Sequence, residues 1–151
     1  MPEHALLLSI RPKYAAMIFD GTKTVELRRV RPRVTAGDLV LVYASSPVKA
    51  LLGAFEVARV VTAPPSLLWK QVESKAGISR DQFNQYFNGV EESYGIFLKR
   101  KWALNEPVEL DELRERQSNF RPPQSYHYLT PTQISRIGFG KLFANVGLNG
   151  N

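Results

Sequence analysis

The sequence predicts an α+β fold: a barrel-like sheet of mostly antiparallel strands with short helices at its periphery. Three observations lead there. Apolar runs of strand length open the chain and recur along it, several of them in direct succession. Helical signals come as isolated stretches rather than after every strand, which disfavours a parallel α/β sheet. A chain of 151 residues with no cysteine must also hold together by burial alone, and it is long enough to do so.

The elements follow in order. Ala5 to Ile10 is an apolar run suited to one buried strand. Pro12 can occupy the first helical turn, Lys13 to Asp20 reads as a short helix, and Gly21 stops it. Thr24 to Val30 alternates as a strand does, with Val25 and Leu27 on one side and Glu26 and Arg28 on the other. Pro32 and the Ala36-Gly37-Asp38 turn separate it from Leu39 to Ala44, a strongly β-prone core strand. Ala50 to Val61 is the next strand, and Gly53 within it marks a bulge or the close approach of another backbone.

Pro64 and Pro65 break the chain, and Ser66 is expected to cap a helix reaching about Ala76. A second helix runs from Ser79, its cap, to Phe87. Tyr94 to Leu98 reads as a strand, Leu110 to Arg116 as a helical turn, and Phe120 to Tyr128 as a loop containing Pro122 and Pro123. Thr130 then starts a last short helix with Pro131 at its first position. No repeat or long linker divides the chain. Residues 1–151 therefore read as one domain, with its core over about residues 5–143 and a frayed tail rich in Gly and Asn.

Composition narrows the chemistry. Without cysteine there is no thiolate zinc site and no cysteine nucleophile. His4 and His127 are too few for a multi-histidine metal centre, so neither a metal nor another cofactor is expected. The N-terminus lacks a basic region ahead of its apolar run, and no stretch has the length of a membrane span. These points predict a soluble, cytoplasmic protein with no membrane contact. The net charge of +6 favours polyanionic partners. The excess sits toward the N-terminus, which suggests a basic face.

Gly21-Thr22-Lys23-Thr24-Val25-Glu26-Leu27-Arg28 is the most informative stretch. It fits GxKxxExR between a helix and a strand. Glu26 and Arg28, two apart on a strand, share a face, and Lys23 lies just before them at the turn. Such a trio can hold a phosphate and a base edge together; it can equally be a self-neutralised strand surface. The run Arg28-Arg29-Val30-Arg31-Pro32-Arg33 suits either a phosphate backbone or a charged, proline-protected strand edge. Lys99-Arg100-Lys101-Trp102 combines cations with an aromatic ring, as a stacking site or as a solvated hairpin end. Tyr43 and Ser45 sit at a strand end, and Gln124, Ser125, Tyr126 and His127 form a polar, aromatic loop able to read a base or to close one end of a barrel. Trp69 belongs with a helix-docking core, and Asp111, Glu112 and Glu115 with a solvated helix face.

The GxKxxExR motif, the opening Leu7-Leu8-Ser9-Ile10-Arg11-Pro12-Lys13, the Gly37-Asp38 turn before a hydrophobic strand, and Tyr43-Ala44-Ser45-Ser46 at that strand's end together resemble ASCH domains of the small bacterial type, over roughly residues 5 to 100. The resemblance implies a PUA-like β-barrel with a cleft beside its first helix and a role in RNA contact or RNA metabolism. On that basis Lys13, Lys23, Glu26, Arg28, Tyr43, Ser45, Gln124 and Tyr126 are the candidate nucleotide-binding residues. The partner is RNA or a nucleotide-like ligand, with single-stranded or duplex DNA as alternatives. An enzyme is the competing reading, either a metal-independent ribonuclease or a nucleoside amidohydrolase, with Glu26 as general base and Lys23 stabilising developing charge. Amidohydrolases of the family that act on N4-acetylcytidine pair a lysine with a threonine three positions later. Here that position is Glu26, so the threonine nucleophile is missing from its place.

Overall fold

The computed structural model describes residues 5–139. Six strands form one mixed sheet: β1 (Ala5–Ile10), β2 (Val25–Arg28), β3 (Leu39–Ala44), β4 (Ala50–Ala63), β5 (Ser93–Glu109) and β6 (Tyr126–Leu129). Their order across the sheet is β2-β5-β4-β3-β1-β6. Only β1 and β3 run parallel; the other neighbours are antiparallel. The sheet curls into a half-barrel that stays open, with β2 and β6 at its two edges. The helices are short: α1 (Pro12–Asp20), α2 (Pro65–Val72), α3 (Arg80–Tyr86), α4 (Leu110–Arg116) and α5 (Pro131–Ile134), the last running into a π-helical turn at Ser135–Phe139.

Burial explains the strand sequences. β1 and β3 lie mid-sheet and are covered on both faces, so each reads as an almost unbroken apolar run. On one face Leu7, Leu41, Leu51 and Leu113 pack with Phe120 and Ile134. On the other, Leu8, Val42, Phe55 and Ile96 pack with Ala15 and Ile18 of α1. A third cluster seats α2 and α3 on Val25, Leu27 and Phe97, with Trp69 and Phe83 in tilted ring contact at 5.0 Å. Each fully buried Leu or Phe in these layers contributes about 1.5–3 kcal/mol.

Several predicted boundaries move. The Ser79 cap forms as expected, with a reciprocal bond pair to Gln82, and Thr130 caps α5 in the same way through Gln133. Ser66 is not a cap: α2 begins two residues earlier than that cap implies, at Pro65, and its N-cap, Pro64, makes no side-chain bond. The helix also ends at Val72, short of Ala76. The strand predicted at Tyr94 to Leu98 extends to Glu109, because its second half is held by pairing with β4 rather than by apolar alternation. The predicted loop from Phe120 to Tyr128 contains all but the last residue of β6, which pairs with β1. Gly53 does sit at a register shift, where an added Cβ would collide with the Phe19 ring and the Trp102 carbonyl. The expected frayed tail lies outside the described residues. Among those described, no helix is long and apolar enough to cross a membrane.

Candidate functional site

The site grows out of the turn that follows α1. Gly21 takes the left-handed conformation, φ 91°, and returns its N–H to the Ile18 carbonyl. Asp20 accepts bonds from the Thr22 amide at 2.8 Å and the Thr22 hydroxyl at 2.6 Å, which hold its carboxyl below the ordinary carboxylate range. Lys23 then donates its N–H to the Met17 carbonyl, so the chain doubles back under the helix and carries the Lys23 side chain inward.

Lys23 is 3 % exposed. Its Nζ donates to the Ala76 carbonyl at 2.8 Å, lies 3.6 Å from Glu26 Oε1 and sits 5.6 Å from the centre of the Tyr14 ring. Burial pulls its ammonium below the ordinary value of 10.5, and attraction to Glu26 offsets part of that fall. Glu26 Oε2 accepts from Arg28 Nε at 2.9 Å and lies 2.8 Å from Arg28 NH2. This is a fork-on-carboxylate pair, which fixes the plane of the guanidinium.

Arg28 does more than face Glu26. Its NH2 donates to the Ser9 carbonyl at 3.2 Å and its NH1 to the Ser125 hydroxyl at 3.3 Å. Ser9 is in β1, Ser125 precedes β6 and Arg28 ends β2. One side chain therefore spans the seam left open between the two sheet edges, and the candidate cleft lies at that seam.

The cleft has a volume of about 630 Å³, within the range of small-molecule sites. Arg11, Lys23 and Arg28 bring three positive charges to its lining and Glu26 one negative, a net of +2. Tyr14 and Tyr86 supply rings, and Gln82, Gln85 and Gln124 supply amides. Burial raises the Tyr86 phenol above its ordinary value of 10.0, and its hydroxyl donates to the Leu27 carbonyl at 3.2 Å.

Of the eight residues singled out in the sequence, Lys23, Glu26, Arg28, Ser45 and Gln124 line this cleft. The other three do not. Tyr43 is buried on the other side of its strand in the cluster with Phe120, 6.3 Å between ring centres; its hydroxyl has no partner among the described residues, and burial raises its value above 10.0. Tyr126 is half-buried and stacks edge-on to Tyr128 at 5.9 Å. Lys13 is exposed on α1, 5.8 Å from the Tyr14 ring and outside the lining. Arg11, Tyr14, Gln82, Gln85 and Tyr86 join the site without having been singled out. Arg11 had a signal, since it immediately precedes the Pro12 that starts the helix. The α3 residues had none, because only the packing of α2 and α3 brings them to the cleft.

The arginine run is tied down locally. Arg29 donates to the Tyr86 carbonyl at 2.9 Å, Arg31 to the Thr62 hydroxyl at 3.3 Å, and Arg33 lies 5.3 Å from the Tyr128 ring centre. None of these contacts neutralises charge, and none of these three arginines lines the cleft.

The fold has counterparts among known proteins. The ASCH domain model matches residues 8–114. An ASCH domain-containing ribonuclease from Zymomonas mobilis is 33% identical over 131 residues, covering 87% of this chain and 88% of that protein. The crystal structure of ASCH from Zymomonas mobilis superposes with a TM-score of 0.83 at 31% identity, over 88% of this chain and 92% of that one. The N-terminal domain of Thermococcus gammatolerans McrB, solved bound to m5C DNA, shares the fold at TM-score 0.53 and 12% identity, over 95% of this chain and 98% of that one.

Proposed function

The chain belongs to the ASCH domain family, and from that premise we propose that it binds RNA, with a single nucleotide entering the cleft at the barrel seam. One observation carries this reading: a cleft of about 630 Å³ combines a net positive charge with two tyrosine rings and three glutamine side chains. Cations meet phosphate, rings take a base face, and amides meet base edges. In this arrangement Arg11, exposed at the rim, is the phosphate contact. Lys23 and Arg28, both held by Glu26, set the positive field behind it. Glu26 serves chiefly to fix the Arg28 fork.

The test is fluorescence anisotropy against labelled single-stranded RNA, single-stranded DNA and duplex DNA at two salt concentrations. Salt-sensitive binding that favours RNA and weakens about tenfold in Arg11→Gln supports the cleft. Equal binding by wild type and variant would remove it.

A second reading, RNA cleavage, is favoured by the ribonuclease name of the Zymomonas relative. Mass spectrometry of RNA after long incubation separates the two. Product lost in Glu26→Gln with RNA binding intact would make Glu26 a catalytic group. Intact RNA would leave binding alone.

A further inference from the structure

The cleft wall at Lys23 has an outer side that the cleft reading leaves unused. Lys23 turns inward to the Ala76 carbonyl; the next residue, Thr24, is exposed and donates its N–H to the Lys75 carbonyl at 2.8 Å. Two short segments, 23–24 and 75–76, are thus held side by side. Outside the cleft lining, Arg59 and Lys75 both lie against the Phe97 ring, with the Arg59 guanidinium carbon 4.1 Å and the Lys75 Nζ 5.8 Å from the ring centre. Phe97 pairs with Val25, the residue after Thr24. Lys101 comes to the same turn further along β5, its Nζ 3.2 Å from where a Cβ on Gly21 would stand.

Arg59, Lys75 and Lys101 are exposed, and among the described residues none has a carboxylate oxygen within 4.0 Å. Ring contact compensates Arg59 and Lys75 only in part, and two like charges over one ring repel each other. Asp20 attracts Lys101 from a distance, but its close hydrogen bonds go to Thr22 and it forms no ion pair with Lys101 within 4.0 Å. A cluster of this kind is relieved by a polyanion. Lys75 adjoins Ala76, whose carbonyl receives Lys23 of the cleft lining, so the outer surface borders the cleft wall.

We infer that Arg59, Lys75 and Lys101 form a second contact surface, which holds the phosphates of a single-stranded RNA as it leaves the cleft over the α1–β2 turn. The inference rests on the RNA-binding reading of the cleft, extends it from one nucleotide to a strand, and assigns a role to part of the Lys99-Arg100-Lys101 cluster. No base is read here. The contact contributes affinity and salt dependence without sequence preference.

The experiment compares two labelled probes, a dinucleotide and a single-stranded RNA of about a dozen nucleotides, across a salt series. The proteins are wild type, the triple variant Arg59→Gln/Lys75→Gln/Lys101→Gln, and the cleft variant Arg11→Gln. For the triple variant, affinity for the long RNA falls about tenfold or more, and the slope of log affinity against log salt drops by about 2, as expected for three single-strand phosphates. Dinucleotide binding stays at the wild-type level. Thermal melting checks that the triple variant is folded. The single change Lys101→Gln, which touches no ring, must deliver its own share of the slope.

An unchanged slope and long-RNA affinity in the triple variant, with both probes weakened by Arg11→Gln, would overturn the outer surface and leave the cleft standing. Loss of long-RNA binding in the triple variant, with Arg11→Gln neutral on both probes, would keep the outer surface and overturn the cleft. No binding of either probe by wild type would overturn both.

Discussion

Glu26 and Glu56 invite comparison because their immediate chemistry is so alike. Each is 6 % exposed, each lies in a strand, and each is held by one arginine and one lysine. The cations differ. Those of Glu26 are themselves withdrawn from water, Lys23 at 4 % and Arg28 at 11 % side-chain exposure, and the group faces a cavity. Those of Glu56 are more exposed, Lys99 at 55 % and Arg100 at 29 %, although Arg100 NH2 itself is buried, and Glu56 lines no cavity described here. At Glu26 the carboxylate and both cations are thus buried together beside a cavity, and at Glu56 the lysine is not. The Glu26 group has given up hydration on both sides of the pair and offsets that loss only through fixed geometry, whereas Lys99 can turn back to water.

The largest expected effect breaks the comparison directly. Glu26→Ala leaves two cations buried without their carboxylate and should cost about 3–5 kcal/mol in urea unfolding. Glu56→Ala, which takes the carboxylate from one buried arginine nitrogen and an exposed lysine, should cost less, about 1–3 kcal/mol. Equal losses would mean that burial of the carboxylate alone decides.

Next in size, Lys23→Met keeps the aliphatic stem and removes the charge. It should weaken short-RNA binding about tenfold, while Lys99→Met leaves anisotropy titrations unchanged.

A smaller effect comes from alkaline titration. Burial lowers the Lys23 ammonium below 10.5 in the folded chain. Between that lowered value and 10.5 the unfolded chain binds the extra proton, so the stability contributed by this group rises with pH through the window. RNA affinity should fall through the same window as the ammonium is lost. Urea midpoints measured against pH should show the rise in wild type and lose it in Lys23→Met. A flat difference between the two would place Lys23 in water.

The smallest effect is expected outside both groups. Burial lowers the His127 imidazole below 6.5. The unfolded chain therefore binds more protons between the lowered value and 6.5, and stability falls as pH drops through that window. His127→Gln should remove this slope and leave RNA binding as it was; a change in binding would bring β6 into the site.

Local signals carried much of the fold. The apolar run of β1, the proline-led α1, and the Ser79 and Thr130 caps are each written in a few adjacent residues, because hydrophobic period and capping act within one or two turns of chain. The same locality made the trio Lys23, Glu26 and Arg28 readable, since three residues spaced through one turn and strand must meet. β5 was only half readable. Beyond Leu98 its sequence is charged and polar, and pairing with β4 is what keeps it extended.

The sequence by itself therefore determined the α+β class, the early elements and the charged trio. Tertiary structure decided which residues share the cleft. Lys23 reaches a carbonyl 53 residues away and Arg28 a hydroxyl 97 residues away, and no local pattern records either contact. It also turned Tyr43 away from the site. Its strand is buried on both faces, so alternation could not say which face leads to the cleft. The physical reason is the same throughout: hydrophobic period and capping are short-range and appear in the chain, whereas what meets across the open seam depends on where the two sheet edges come to lie.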